Sequence, residues 1–268
     1  MQNLFVIKIG GNVIDNPEAL KTFLTSFASV PGHKILIHGG GKIATKIGDQ
    51  LGVASNYING RRITDDDTID IVTMVYGGLV NKKIVAQLQS LNVNAIGLTG
   101  ADANIIPAVK RPVKVIEGAA VDFGWVGDVD GEKLNVESLK TLLDAKLTPV
   151  FAPLTHDAAG HILNTNADTI ASVLAVALSA YYKVRLIYCF EKSGVLEDVA
   201  DENSVIRHIN PQKYRQLLDE NKLFEGILPK IDNAFAAIDA GVTEVLIGHA
   251  NDLVKNTSPS TEGTLITR

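Results

Sequence analysis

Leu4-Phe5-Val6-Ile7-Lys8-Ile9-Gly10-Gly11-Asn12 is an apolar run that holds one lysine and closes on two glycines. A run of this length bounded by glycine predicts a strand buried on both faces, as in a parallel sheet. Lysine is almost never buried in such a strand without a partner. Two readings of Lys8 therefore stand side by side. It either snorkels to solvent at the sheet end, or sits beside uncovered glycine N–H groups as a receptor for phosphoryl oxygens. A second run, Ile35-Leu36-Ile37-His38-Gly39-Gly40-Gly41-Lys42, again ends a buried strand in glycines and favours the phosphoryl reading.

Outward from these two runs, short β-rich stretches alternate with longer helical patterns, which predicts a parallel sheet covered on both faces. Strands are expected over 4–9, 34–38, 94–98, 148–152, 184–190 and 244–247. Helices are expected over 17–29, 42–51, 66–91, 136–145, 167–180, 211–221 and 230–240. Pro17 suits a first helical turn after Asn16, Asn135 an N-cap, and Gly241 the residue after a helix. Between Val113 and Gly131 the alternating run 121–129, closed by Asp130-Gly131, reads as an antiparallel hairpin set beside the parallel sheet.

Composition narrows the function. The chain has 268 residues, enough for a sizeable core, and a formal net charge of −5 with no basic block. Nucleic acid and anionic membrane surfaces are thus poor partners. The single cysteine, Cys189, lies in an apolar run and reads as a buried hydrophobe. One cysteine allows no internal disulfide, which fits a reducing compartment. No secretory pattern opens the chain, and the weakly polar stretch 170–182 is too short to span a bilayer. A cytoplasmic protein is expected.

The familiar fingerprints are missing. Gly39-Gly40-Gly41-Lys42 lacks the spacing of a Walker loop, and Ile43 stands at its hydroxyl position. No dinucleotide Gly-x-Gly-x-x-Gly follows the first strand. Neither a nucleophile-elbow serine nor a zinc pattern is present, so no protein-held metal is expected and any metal should arrive as Mg²⁺ on a nucleotide.

Polar residues remain where strands end. In Asn164-Thr165-Asn166-Ala167-Asp168 the aspartate falls in a first helical turn, as a functional carboxylate or as ordinary capping. Asn59-Gly60-Arg61-Arg62-Ile63-Thr64 is a turn whose arginine either clamps a carboxylate or pairs with Asp65, Asp66 and Asp67. Glu225-Gly226-Ile227-Leu228-Pro229-Lys230 puts a lysine at a helix start, against the dipole. That position favours a role facing a ligand.

Taken in order, these motifs, with Asn81-Lys82, Ser193-Gly194-Val195-Leu196 and Gly263-Thr264-Leu265-Ile266, resemble the amino acid kinase family. The resemblance runs along the whole chain, and the Asn-Gly-x-Arg and Asn-x-Asn-Ala-Asp elements point to its acylglutamate branch. It implies one α/β domain, an open αβα sandwich with a mainly parallel central sheet. The substrate lobe would cover about 1–180 and the nucleotide lobe about 181–268. The implied reaction transfers the γ-phosphoryl group of ATP, carried with Mg²⁺, to the side-chain carboxylate of an N-acyl-L-glutamate. Acetyl and succinyl both remain open as the acyl group, as does an idle ligand sensor on the same fold.

By resemblance Lys8 and Lys230 flank the transferred group and Asp168 holds both. Backbone N–H groups of Gly11 and Gly40 bind its oxygens. Arg62 and Asn164 take the substrate α-carboxylate beside Gly40 and Gly41. The nucleotide lies over Gly10, Gly11, Glu191, Ser193, Gly194, Leu196, Lys222, Phe224 and Lys230. Many relatives carry Ser/Thr-Asp where this chain has Phe190-Glu191. The resemblance also implies a homodimer. With only Met1-Gln2-Asn3 ahead of the first strand, no interlacing N-terminal helix and no inhibition by arginine are expected.

Overall fold

The first apolar run forms β1 (Asn3–Ile9), buried from Leu4 onward. A computed structural model of the chain describes every residue except Val199 and Glu225. The other strands of the main sheet are β2 (His33–Ile37), β3 (Ala95–Leu98), β4 (Thr148–Phe151), β5 (Lys183–Phe190), β6 (His208–Ile209), β7 (Glu244–His249) and β8 (Thr264–Ile266). They lie in the order β6-β8-β7-β5-β1-β2-β4-β3. Every neighbouring pair is parallel except β7–β8.

Among the described residues ten α-helices accompany the sheet: α1 (Gly11–Asp15), α2 (Pro17–Ser29), α3 (Gly41–Gln50), α4 (Asp66–Val72), α5 (Asn81–Ser90), α6 (Val136–Asp144), α7 (Ala167–Ser179), α8 (Pro211–Asp219), α9 (Leu228–Asp239) and α10 (Leu253–Asn256). Strand periodicity divides the core in two. Leu4 and Val6 pack with α7 and α9, whereas Phe5, Ile7 and Ile9 pack with α2, α4 and α5. Both faces are covered, which makes the fold the αβα sandwich expected from sequence. None of the described helices is long and apolar enough to cross a membrane.

Several boundaries follow side-chain chemistry. Asn16 Oδ1 accepts from the Glu18 and Ala19 amides and starts α2, and Asn135 does the same for Ser138 at α6. Two expectations need correction. The helix expected over 66–91 is split by a π-helical segment, Thr73–Val80. Its consecutive Gly77 and Gly78 lower the cost of wider winding. The antiparallel excursion expected between Val113 and Gly131 is present, but its turn is not at Asp130-Gly131. Gly127–Val129 pairs with Ala108–Lys110, and the tight turn is Glu117-Gly118, between Lys114–Ile116 and Ala119–Val121. Asp130 instead caps a 3₁₀ turn by accepting from the Glu132 amide. Asp-Gly serves a turn or a cap equally well, and the distant partner strand decides which.

Candidate active site

Alternation along β1 puts Lys8 on the same face as Leu4 and Val6, the face covered by α7 and α9. Each helix brings a charged residue there. Asn166 caps α7 by accepting from the Asp168 and Thr169 amides. The Asp168 carboxylate is thus free of capping duty, and its Oδ1 lies 2.8 Å from Lys8 Nζ. Lys230, in the first turn of α9, completes the group. Burial pushes its ammonium below the ordinary lysine value; the Asp168 charge opposes the shift and the Lys8 charge adds to it. Asp168 therefore pairs directly with Lys8 and acts on Lys230 through its field.

The two ammonium groups share an aromatic neighbour that sequence reasoning treated only as a departure from pattern. Lys8 Nζ is 5.0 Å and Lys230 Nζ 3.9 Å from the Phe190 ring centroid. Phe190 ends β5, where Lys8 and Tyr188 are already in register, and its ring stacks on Tyr188. The quadrupole of the ring attracts both cations, a contact no sequence spacing reveals.

Two glycine loops adjoin the cations. Gly10 donates to the Cys189 carbonyl at 3.0 Å, tying the end of β1 to β5, and Gly11 opens α1. In the second loop Gly40 has φ 153°, where a side chain is strained. A Cβ there would also sit 3.0 Å from the Tyr76 ring. A Cβ on Gly39 would lie 4.0 Å from the Gly11 nitrogen, so the loops are neighbours. Among the described residues, neither the Gly11 nor the Gly40 amide has a hydrogen-bond acceptor.

Arg62 sits on a short hairpin, Tyr57–Ile58 with Arg61–Arg62, turned by Asn59-Gly60. It is buried and does not pair with the neighbouring aspartates. Its Nη2 donates to the Gly41 carbonyl and to Thr45 Oγ1, each at 2.9 Å, its Nη1 to Ser55, and its guanidinium lies 4.8 Å from the Tyr57 ring. Asp65 caps α4 and Asp66 accepts from Trp125 instead. Asn164 Nδ2 donates to Thr64 Oγ1 at 3.0 Å, and its amide donates to the Trp125 carbonyl. Thr64 in turn is hydrogen-bonded to Phe123 and Trp125. Arg62 is thereby tied to Gly41, and Asn164 to Thr64, two residues beyond Arg62. Thr45, Ser55, Tyr57 and Tyr76, which hold this region, carried no motif of their own.

The expected nucleotide residues are more dispersed. Gly194 is buried against Thr264, whose Oγ1 accepts from the Val195 amide at 2.8 Å. Leu196 is also buried, so only its backbone can meet a ligand. Lys222 is engaged by Glu197 and Glu220. Glu191 and Phe224 are exposed, Ser193 is half-buried, and Glu225 lies outside the described residues. Among the described residues no three His, Cys, Asp or Glu side chains converge into a metal cage.

The sequence model of the amino acid kinase family matches residues 3–249. The chain belongs to the amino acid kinase family. Acetylglutamate kinase of Cytophaga hutchinsonii is 56% identical over 95% of this chain and 94% of its own length. Acetylglutamate kinase of Bacteroides thetaiotaomicron is 52% identical over 99% of this chain and 98% of its own. Among solved structures, N-acetylglutamate synthase from Neisseria gonorrhoeae, complexed with coenzyme A and N-acetyl-glutamate, superposes with TM-score 0.80 at 22% identity. That match covers 100% of this chain and 59% of the synthase chain. Carbamate kinase from Giardia lamblia, bound to AMP-PNP, gives 0.69 at 13% identity, covering 100% and 98%. At those identities the two structures attest the fold. The resemblance read from the ordered motifs is thus borne out, and so is the fold of this amino acid kinase.

Proposed function

We infer that this amino acid kinase transfers the γ-phosphoryl group of ATP to the side-chain carboxylate of N-acetyl-L-glutamate, an acetylglutamate kinase reaction of arginine biosynthesis. The observation that carries this reading is the Lys8–Asp168 pair with Lys230 beside it, next to two glycine amides. A protein that merely bound a ligand would have no need of two cations gathered at one carboxylate. The acyl acceptor follows from relatives of that name at more than half identity.

A carboxylate is already a nucleophile at neutral pH, so the reaction needs no general base. One carboxylate oxygen attacks the γ-phosphorus, a new P–O bond forms, and the bond to the bridging oxygen breaks as ADP leaves with the electron pair. The task is to bring two anions together and to stabilise charge spread over the transferring oxygens. Lys8 serves the incoming side and Lys230 the ADP side. Asp168 limits their mutual repulsion and holds Lys8 in place. The Gly11 and Gly40 amides receive the equatorial oxygens.

Arg62 and Asn164 receive the α-carboxylate beside Gly40 and Gly41, on a substrate lobe of about 1–180. ATP occupies a nucleotide lobe of about 181–268, over Gly10, Glu191, Ser193, Gly194, the Leu196 backbone, Lys222 and Phe224. Lys222 must then exchange a carboxylate partner for phosphate. Asp168 is already committed to Lys8, so the fitting place for Mg²⁺ is on the nucleotide's own phosphates. Bound there, it neutralises phosphate charge. A two-fold homodimer is the assembly we propose, since closed two-fold dimers are the commonest oligomers. A reducing, cytoplasmic setting suits the buried free Cys189.

The test is ATP-dependent acyl phosphate formation, trapped with hydroxylamine, on N-acetylglutamate, N-succinylglutamate and glutamate. Highest kcat/KM on N-acetylglutamate is expected. Trapping with free glutamate alone would overturn the acceptor, and no trapping with any of the three would return the chain to a ligand sensor.

A further inference from the structure

The pair Asn81-Lys82 has no part in the reaction above, yet Asn81 is buried where the π-helical segment returns to α winding. Its Nδ2 donates to the Val150 carbonyl at 2.9 Å and to His38 Nε2 at 3.1 Å. Lys82 Nζ donates to Asn81 Oδ1 at 3.3 Å and to the Gly97 carbonyl at 3.0 Å, which fixes the amide the same way round. A Cβ on Gly97 would fall 1.9 Å from Asn81 Oδ1, so glycine there makes room for the side chain. A donor facing His38 Nε2 requires that nitrogen to be bare. The ring proton therefore sits on Nδ1, which donates to the Gly39 carbonyl at 2.7 Å. Burial pushes the fully enclosed His38 imidazole down to about 4, against the pull of its bond to Gly39, so the ring stays neutral and the tautomer stays locked near pH 7.

The consequence reaches the phosphoryl site through one peptide plane. In a trans peptide the C=O and the following N–H point in opposite directions. A Gly39 carbonyl held by His38 sets the direction of the Gly40 N–H, while the Tyr76 ring closes the other side of Gly40. We propose that His38 and Asn81 are positioning residues for phosphoryl transfer, aiming the Gly40 N–H at the transferring group by holding the Gly39 carbonyl. Neither touches substrate. The inference rests on the phosphoryl-transfer reading given above.

His38→Phe keeps a ring of similar size but loses both nitrogens. It should lower kcat about 10²-fold, the usual loss for one misdirected oxyanion donor, while KM for ATP and acylglutamate stays within about threefold. His38→Asn, whose amide can replace Nδ1, should recover about tenfold of that loss. If the phenylalanine variant does not fold, Asn81→Ala is the second probe, with kcat expected about tenfold down at unchanged KM. ¹⁵N NMR of the His38 ring in the unsubstituted protein needs no turnover: a neutral, Nδ1-protonated ring at pH 7 is expected. An Nε2-protonated or charged ring would overturn the proposal, and so would full kcat in folded His38→Phe. Absence of acyl phosphate formation by the unsubstituted enzyme would instead remove the function, leaving the NMR result to judge the locked peptide.

Discussion

Lys8 and Arg62 are both buried cations, but their surroundings give them different work. Lys8 is held by a single carboxylate beside an aromatic ring, a setting that suits the role proposed for it at the transferring phosphoryl group. Lys8→Ala should lower kcat on the order of 10²–10³-fold with a much smaller change in either KM. Turnover near that of the unsubstituted enzyme would return Lys8 to a lysine that merely reaches solvent. Arg62 makes a fork of bonds to Gly41, Thr45 and Ser55, a geometry lysine cannot copy. Arg62→Lys should raise KM for the acylglutamate about tenfold and leave KM for ATP nearly unchanged. Weakened ATP binding would place Arg62 on the nucleotide side instead. The identity of such residues was legible because each interrupts a pattern: a lysine in a strand, an arginine pair in an Asn-Gly turn. Phe190 and Tyr76 were not, because an aromatic side chain gives no sequence sign of which cation or glycine it will face.

Elements with a chemical start signal were legible in the sequence; those set by distant pairing were not. Asn16-Pro17 and Asn166-Ala167-Asp168 begin α2 and α7 where capping chemistry says they should. Asn166→Ala should cost about 1 kcal/mol of stability, seen as a lower urea midpoint, with Asp168 still in place. By contrast, the role of Asp130-Gly131 depends on a partner strand well back along the chain, Ala108–Lys110, which pairs with the residues just before it. The end of α2 shows the same limit. Lys34, on β2, donates from Nζ to the Phe27, Ala28 and Val30 carbonyls and so caps that helix from another element. Burial pushes its ammonium down to about 8. Between about pH 8 and 10.5 the unfolded chain binds more protons at this lysine than the folded one, so stability rises with pH there. The contribution is full above 10.5 and lost as pH falls through 8. Denaturant melts across that window should show the unsubstituted protein gaining on Lys34→Met as pH rises. A pH-independent difference would mean that the ammonium is not desolvated in the folded state.

At the scale of the molecule, the sheet is finished out of sequence order. The last strand, β8, runs antiparallel to β7 and parallel to β6, which it joins to the rest of the sheet. The sequence expectation of six strands missed β6 and β8 because two or three residues carry no usable period. Yet β8 supplies the group that fixes the segment after β5: Thr264 Oγ1 accepts from the buried Val195 amide at 2.8 Å. Glu191, Ser193, Gly194 and the Leu196 backbone, the proposed nucleotide contacts, are therefore held in part from the far end of the chain, alongside the backbone bonds that Val195 and Glu197 make with Ile206 and Ser204. Thr264→Val preserves the outline of the side chain but removes the acceptor, leaving a buried N–H unpaired, a cost of about 1–3 kcal/mol. The segment can relieve that cost only by moving. KM for ATP should accordingly rise about tenfold, with KM for the acylglutamate changed by less than about twofold, since Arg62, Asn164 and the glycine loops lie on other elements. Steady-state kinetics with each substrate varied in turn would read both numbers. Unchanged KM for ATP in a folded Thr264→Val enzyme would show that the segment after β5 holds its shape without β8. A rise confined to the acylglutamate would put the nucleotide at the opposite end of the sheet from the one proposed.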